Sequence, residues 1–233
     1  MPKRKSYAGR SSKRAYKRRR GYGTRRKFQS NLGTLIADRT KVAMKYHDDI
    51  TVNVNGTSGS NYNFRCNSIF DPDASSVGHQ PMGHDQIALF YERYVVIGSK
   101  ITVTFKTPEN GDKTNQDEAF VNCGITTIPN TSDQITQNDD FMENNRTTYV
   151  QLCPQRPMAK VTKKFSPKRF FGYGKTIDVS NIAAAFGANP ANEALWQLRM
   201  WNPTTDTSNR TVHMNVAIQY TVVARERKKI IGS

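Results

Sequence analysis

The first 27 residues carry a charge density that a folded core cannot accommodate. Thirteen of them are basic, eight Arg and five Lys, and none is Asp or Glu. Residues 28–233 hold the other 22 basic residues and all 19 acidic ones, so they carry only +3 of the chain's formal charge of +16. A segment of like charges with almost nothing apolar to bury does not order alone. The sequence therefore predicts a disordered basic arm over residues 1–30 and one folded domain over residues 31–233.

The composition of the remainder favours an all-β fold. It is rich in Thr, Asn, Val, Ile, Phe and Tyr, and Asn, Gly and Pro interrupt it at short intervals. About eight principal strands joined by long loops predict a single eight-stranded antiparallel jelly-roll sandwich. No apolar run approaches the roughly 18 residues that span a bilayer, and no apolar segment follows the basic N-terminus as in a secretory signal. We therefore expect no membrane insertion.

Alternating and apolar runs predict where the strands lie. They are expected at residues 41–54, 62–70, 94–105, 119–128, 149–152, 158–165, 169–173, 177–179, 195–201 and 212–224, with a bend at Gly98. Short helical segments are expected at residues 86–93 and 183–186. Polar loops at 71–86, 107–117 and 129–145 are longer than a compact domain usually needs. We expect them at contacts between subunits or on the outer surface.

The basic clusters of the arm alternate with aromatic residues. Basic groups neutralise phosphates without reading sequence, and aromatic rings stack on unpaired bases. The pattern predicts nucleic-acid binding; the alternatives are a solubilising tail and an arm for anionic membrane surfaces. The same clusters also resemble nuclear-import signals. The candidate binding residues are Lys3, Arg4, Lys5, Arg10, Lys13, Arg14, Lys17, Arg18, Arg19, Arg20, Arg25, Arg26 and Lys27, with Tyr7, Tyr16 and Tyr22.

A second basic stretch lies between Glu143 and Asp178, where eight Lys or Arg residues occur without an acid. It is either a solvated strand face or a phosphate-binding patch on the surface from which the arm leaves. If the patch lies outside, a sulfated cell-surface glycan is the alternative partner. Strand register decides which face each lysine takes. The candidate residues of this secondary patch are Lys160, Lys163, Lys164, Lys168 and Arg169.

Residues for catalysis or metal binding are sparse. His79 and His84 are five residues apart with Asp85 adjacent, but no third convincing ligand accompanies them, so a polar loop is the simpler interpretation. No nucleophile, phosphate-loop or zinc-deaminase motif occurs. The three cysteines, at positions 66, 123 and 153, are widely spaced in apolar surroundings and are predicted to be buried free thiols. The sequence predicts no enzyme, no cofactor and no metal.

Several segments resemble the capsid proteins of small circular single-stranded DNA viruses, the circovirus-like group. The most specific are Asn67–Pro72 (NSIFDP), Gly78–Gly83 (GHQPMG) followed by Asp85 and Gln86, and Tyr91–Tyr94 (YERY) leading into the apolar strand that ends at Phe105. The segment from Arg156 to Phe171 is also similar, so the resemblance covers most of the chain.

The resemblance implies a jelly roll that assembles as 60 copies into an icosahedral shell. It also implies an arm that binds the single-stranded DNA genome inside the virion and, through host nuclear-import receptors, directs the protein to the host nucleus for assembly. Two other classes compete with this interpretation. A ribosomal or chromatin-type protein would also have a basic tail, but its body is usually basic as well. A nuclease would need a cluster of carboxylates or histidines.

Overall fold

The computed structural model describes residues 36–54, 58–75, 78–107, 120–174, 176–203 and 210–229. All arm residues predicted to bind nucleic acid lie outside these ranges, as does most of the loop predicted at 107–117, and the predictions for both stay predictions. No helix in the described part of the chain is long and apolar enough to cross a membrane.

Nine strands and three short α-helices make up the described chain. The strands are β1 (Arg39–Val54), β2 (Ser60–Arg65), β3 (Tyr91–Lys106), β4 (Val121–Ile128), β5 (Thr148–Leu152), β6 (Met158–Phe165), β7 (Ala183–Ala185), β8 (Leu195–Trp201) and β9 (Arg210–Arg227). The helices are α1 (His84–Ala88), α2 (Asn138–Glu143) and α3 (Pro167–Phe170). Single 3₁₀ turns lie at Thr131–Asp133, Thr176–Asp178 and Ser180–Ile182.

The strands form two antiparallel sheets with interleaved connections. Sheet I has the order β1-β9-β3-β6, with β7 paired to β3, and sheet II has the order β2-β8-β4-β5. The first and last strands of the body, β1 and β9, are neighbours along their whole length. Eight long strands alternating between two sheets in this order form a jelly roll. The predicted fold class is confirmed, and β7 is a short ninth strand.

The alternation of apolar and polar side chains explains why β1 forms a strand with one buried face and one solvent-exposed face. Met44 and Tyr46 are buried between the sheets, whereas Lys41 and Lys45 are exposed on the other side. Apolar residues at every second position suit a strand whose one face covers a core. The predicted bend of β3 is present as a bulge, because its register with β9 shifts between Val96 and Gly98.

The outward face of sheet II is covered by the chain that connects β4 to β5. Phe141 of α2 is fully buried and packs edge-on against Trp201, with 5.6 Å between ring centroids. Gly124 leaves room for it, because a Cβ atom at that position would lie 2.7 Å from the Phe141 ring. Gln197 donates to the carbonyl of Ile135 and accepts from its amide. The single subunit therefore needs this connection, and the premise that loop 129–145 is dispensable to a monomer was wrong.

Other sequence predictions were wrong at places where tertiary contacts outweigh local preference. Residues 169–173 were predicted as a strand, but Pro167 starts α3, because its fixed φ suits the first turn of a helix. The helical turn predicted at residues 183–186 is instead β7, which pairs with Arg93–Val95 of β3. Residues 177 and 178 belong to a 3₁₀ turn and Val179 precedes the next one, so none of the three forms the predicted strand.

Several element boundaries also differ from the prediction. The second strand ends at Arg65 instead of residue 70. The amide of Arg65 donates to the carbonyl of Pro72 (2.7 Å), because the chain leaves the sheet there and turns back. The helix predicted at 86–93 is α1, and the next strand already begins at Tyr91.

Replacing Phe141 tests whether the β4–β5 connection is part of the folded subunit. Removing a fully buried ring leaves a cavity, so we expect Phe141→Ala to lower the free energy of unfolding by about 3–5 kcal/mol. Met142 is adjacent but 37% exposed, so Met142→Ala should cost less than about 1 kcal/mol. Denaturant unfolding of both variants provides the measurement. Equal, small losses would show that the connection is not needed for folding.

Candidate nucleic-acid interface

The register of sheet I aligns lysines from several strands on its outward face. Across the sheet, Lys45 of β1 lies opposite Gln219 of β9, which lies opposite Lys100 of β3, which lies opposite Lys164 of β6. Neighbouring strands are about 4.8 Å apart, so this row is about 14 Å wide. Paired residues point to the same side of a sheet, and the row therefore places three ammonium groups on one surface.

The same register adds further lysines to this surface. Lys160 lies in the row of Thr104, and Lys106 and Lys41 lie near opposite ends of the sheet. We call this surface the lysine face and define it by Lys41, Lys45, Lys100, Lys106, Lys160 and Lys164.

Acid is scarce on this surface. In every second row from Lys41 to Asn53, the rows that face outward, Asp49 is the one carboxylate among the described residues, and it accepts a hydrogen bond of 2.7 Å from Asn215. Arg39 lies one register position beyond and faces Asp178, with 3.8 Å between charged atoms. The lysine face is therefore strongly positive, although residues 28–233 as a whole carry only +3.

The five residues of the predicted secondary patch lie on different surfaces of the folded domain. Lys160 and Lys164 share the lysine face, whereas Lys168 and Arg169 are exposed on α3. Lys163 has the opposite orientation: it pairs with Ile101, and its ammonium donates to the carbonyls of Ile125 (3.3 Å) and Arg146. Burial lowers the pKa of Lys163, and the nearby charge of Arg146 lowers it further. Lys163 therefore does not share a surface with Lys41 and Lys45, and the five candidate residues of the secondary patch do not form one surface.

Lys100 and Lys106 belong to the lysine face but were not recognised as site residues in the sequence. Their spacing on β3 and their polar neighbours Thr102 and Thr104 indicate an exposed strand face. The pairing of β3 with β9 and β6 is what brings them next to Lys45 and Lys164. The local alternation of residues could have identified this face of β3 as exposed, but not which strands lie beside it.

The two histidines of the 71–86 segment do not form a common site. The imidazole of His79 stacks on Tyr46, with 4.7 Å between ring centroids. His84 is buried, with Nε2 3.0 Å from the carbonyl oxygen of Phe186 and Nδ1 2.9 Å from Asp85. Within the described ranges, no three His, Cys, Asp or Glu side chains are grouped so that they could hold a metal ion. The role of these histidines in the fold is packing and hydrogen bonding.

All three cysteines are free, as predicted, and two of them are fully buried. Burial raises the pKa of the Cys66 and Cys123 thiols well above the usual range. Cys153 is partly exposed at the turn between β5 and β6, so the prediction that all three thiols are buried was wrong for this one. The thiols therefore differ in access to reagents and are not arranged as a redox pair.

Thiol labelling at pH 8 tests this arrangement. Only the thiolate reacts, and a raised pKa lowers its fraction at a given pH. We expect one thiol to react quickly with an aromatic disulfide reagent in the native protein, and three after denaturation. Cys153→Ser should remove the fast phase. Rapid labelling of three thiols in the native state would contradict the structure.

No protein-family profile matches the chain, and no curated protein sequence matches it. Among solved structures, the 60-mer BFDV (beak and feather disease virus) capsid protein aligns with 85% of this chain and 100% of its own length, at 8% identity and a TM-score of 0.46. The structure of Cocksfoot mottle virus aligns with 82% of this chain and 97% of its own, at 10% identity and a TM-score of 0.48. Turnip Yellow Mosaic Virus aligns with 84% and 98%, at 10% identity and a TM-score of 0.43. These neighbours include a circovirus capsid protein.

Proposed function

We propose that this chain is a structural capsid protein that self-assembles into a small icosahedral shell of 60 copies and packages circular single-stranded DNA. The observation that carries the proposal is the lysine face on an otherwise nearly neutral jelly roll. The strand that follows the basic arm in sequence, β1, carries Lys41 and Lys45 on that face. In sequence, the basic arm is thus followed closely by a strand that contributes two lysines to the lysine face.

The arm supplies most of the charge for packaging in this proposal. Sixty copies of its thirteen basic residues amount to about 800 positive charges, a scale that offsets much of the phosphate charge of a small genome. The interleaved tyrosines at positions 7, 16 and 22 add stacking on unpaired bases. The same clusters would bind host nuclear-import receptors before assembly, which places the protein in the nucleus and then in the virion. No enzymatic step belongs to this role.

Exposed apolar side chains support self-association. In one short segment around α1, Met82 is 93% exposed, Leu89 71% and Phe90 46%. Side chains of this size at such exposure in one segment are typical of a surface that another protein covers. The segment overlaps the motifs that resemble circovirus-like capsid proteins. We assign it to contacts between subunits.

Electron microscopy of purified full-length protein tests the proposal directly. We expect closed shells that contain nucleic acid. Deleting residues 1–27 should leave the circular-dichroism spectrum of the β fold in place and remove most bound nucleic acid, because thirteen cations are lost. Binding by the full chain should weaken steeply with salt and show little sequence preference. A full-length protein that never forms shells would favour the ribosomal or chromatin-type alternative.

A charge placed in the exposed segment tests the assembly surface. Leu89→Glu should prevent shell formation, because a carboxylate would have to be desolvated at the contact. Gln86 is exposed in the same segment, so Gln86→Glu adds the same charge without removing an apolar side chain. We expect this control to assemble far better, as measured by sedimentation velocity. Normal assembly of Leu89→Glu with an intact fold would place the subunit contacts elsewhere.

A further inference from the structure

A cavity of about 560 Å³ lies where β6 ends beside β3. β6 pairs with β3 from Ser99 onwards, and β7 pairs with β3 only up to Val95. Residues 96–98, at the bulge, therefore pair with neither strand, and the chain turns into α3 at this point. The cavity is a consequence of this break in the sheet edge, and Gly98 contributes to its wall.

The wall of the cavity is positively charged. Lys100, Arg146, Lys163, Lys164 and Arg169 line it, and no Asp or Glu is among the lining residues. The ion pairs found among the described residues involve other side chains. Five cations around one cavity repel each other, and an anion in the cavity would relieve that repulsion.

Two of these cations are held in place before any ligand binds. The Lys163 ammonium donates to the backbone carbonyl of Arg146 and to that of Ile125. The guanidinium carbon of Arg146 lies 4.8 Å from the centroid of the Phe170 ring, and Phe170 packs against Phe165 with 5.4 Å between centroids. A binding group that is already ordered loses less conformational entropy when the ligand arrives. The site is therefore a preformed one.

The composition of the wall indicates the class of anion. Guanidinium groups such as Arg146 and Arg169 match the geometry of phosphate oxygens, and Phe165 and Phe170 add an apolar side. The volume exceeds that of a bare phosphate and falls in the range of pockets for small organic ligands. A phosphate joined to a nucleoside fits this combination of charge, size and apolar surface.

The position of the cavity indicates what carries that phosphate. Lys100 and Lys164 line the cavity and also belong to the lysine face, so a polyanion lying across the face passes the opening. We propose that the cavity binds one nucleotide of single-stranded DNA, with its phosphate at Arg146, Lys163 and Arg169. An unpaired strand is required because a nucleotide stacked in a duplex cannot enter. The identity of the ligand as single-stranded DNA rests on the proposed packaging function. The presence of an anion site rests only on the residues that line the cavity.

Lysine footprinting of the full-length protein tests this inference without requiring shells. Soluble subunits are acetylated with and without thymidine 5′-monophosphate, and modification is measured by mass spectrometry. We expect the nucleotide to slow acetylation of Lys164 and Lys100 at least threefold. Lys160 is the internal control, because it is exposed on the same face of β6 but does not line the cavity. Arg169→Ala should abolish the protection, since Arg169 is exposed and its loss leaves the fold intact.

The other arms of the experiment use thymidine, inorganic phosphate and a sulfated disaccharide at the same concentration. Thymidine should give no protection, and the other two should give less than the nucleotide. Equal protection of Lys160, or no protection of Lys164, would overturn the cavity as a site. Full protection by inorganic phosphate or by the disaccharide would overturn the nucleotide assignment. If the nucleotide protects Lys164 but the protein forms no shells, the cavity stands as a binding site and only the capsid proposal is contradicted. If the protein forms shells but Lys164 is not protected, the capsid proposal stands and the binding site is contradicted.

Discussion

A β-strand has two faces, and in sheet I most of the strand length has only one of them buried. The buried face carries Tyr46, Ile101 and Ile218 into the core, and the hydrated face carries the lysines. Because the side-chain period is two residues, a slip of one residue in β1 would move Lys41 and Lys45 into the core and Tyr46 into water. The register is therefore strongly specified, and it is the register that aligns Lys45, Lys100 and Lys164. Core packing and the charge pattern of the surface depend on the same constraint.

Sheet II satisfies the constraint differently, since both faces of β4 and β8 are buried. The outward face of β8 includes Arg199, a nearly fully buried cation whose hydrogen-bond acceptors among the described residues are all neutral. Its guanidinium donates to the side-chain oxygens of Asn138 and Asn61 and to the carbonyls of Ser58 and Thr136. Burial lowers the pKa of Arg199. These hydrogen bonds offset part of the cost of desolvating the guanidinium group. They also hold the segment between β4 and β5 against β2 and β8. The two sheets thus differ in the exposure of their outward faces. The outward face of sheet II is covered, whereas that of sheet I is exposed to solvent and carries the lysines.

The division between a covered and an open sheet supports the proposed division of roles. A shell subunit has to present one surface to neighbours and solvent and another to a polyanion. Here the lysine face and the cavity beside β6 share Lys100 and Lys164, so the positive surface continues into a preformed recess. The exposed apolar side chains around α1 belong to a different segment and suit contacts between proteins. The lysines and the apolar side chains around α1 thus belong to different segments of the chain, although Met158, which is 59% exposed, pairs with Lys106 of the lysine face.

The sequence by itself determined the all-β class, the bounds of β6 and β8, and the alternation of β1, because these depend on a local period of two residues and on nearby turn residues. It also determined the concentration of charge in the first 27 residues. Tertiary structure decided the rest. Ala183–Ala185 form a strand because the edge of β3 offers backbone partners there, and Phe141 is buried because β8 presents Trp201 to it. Lys163 and Lys164 are neighbours in sequence, yet one reaches toward sheet II and the other lies on the lysine face. Which lysine takes which side follows from long-range strand pairing, and no local pattern encodes a partner more than fifty residues away.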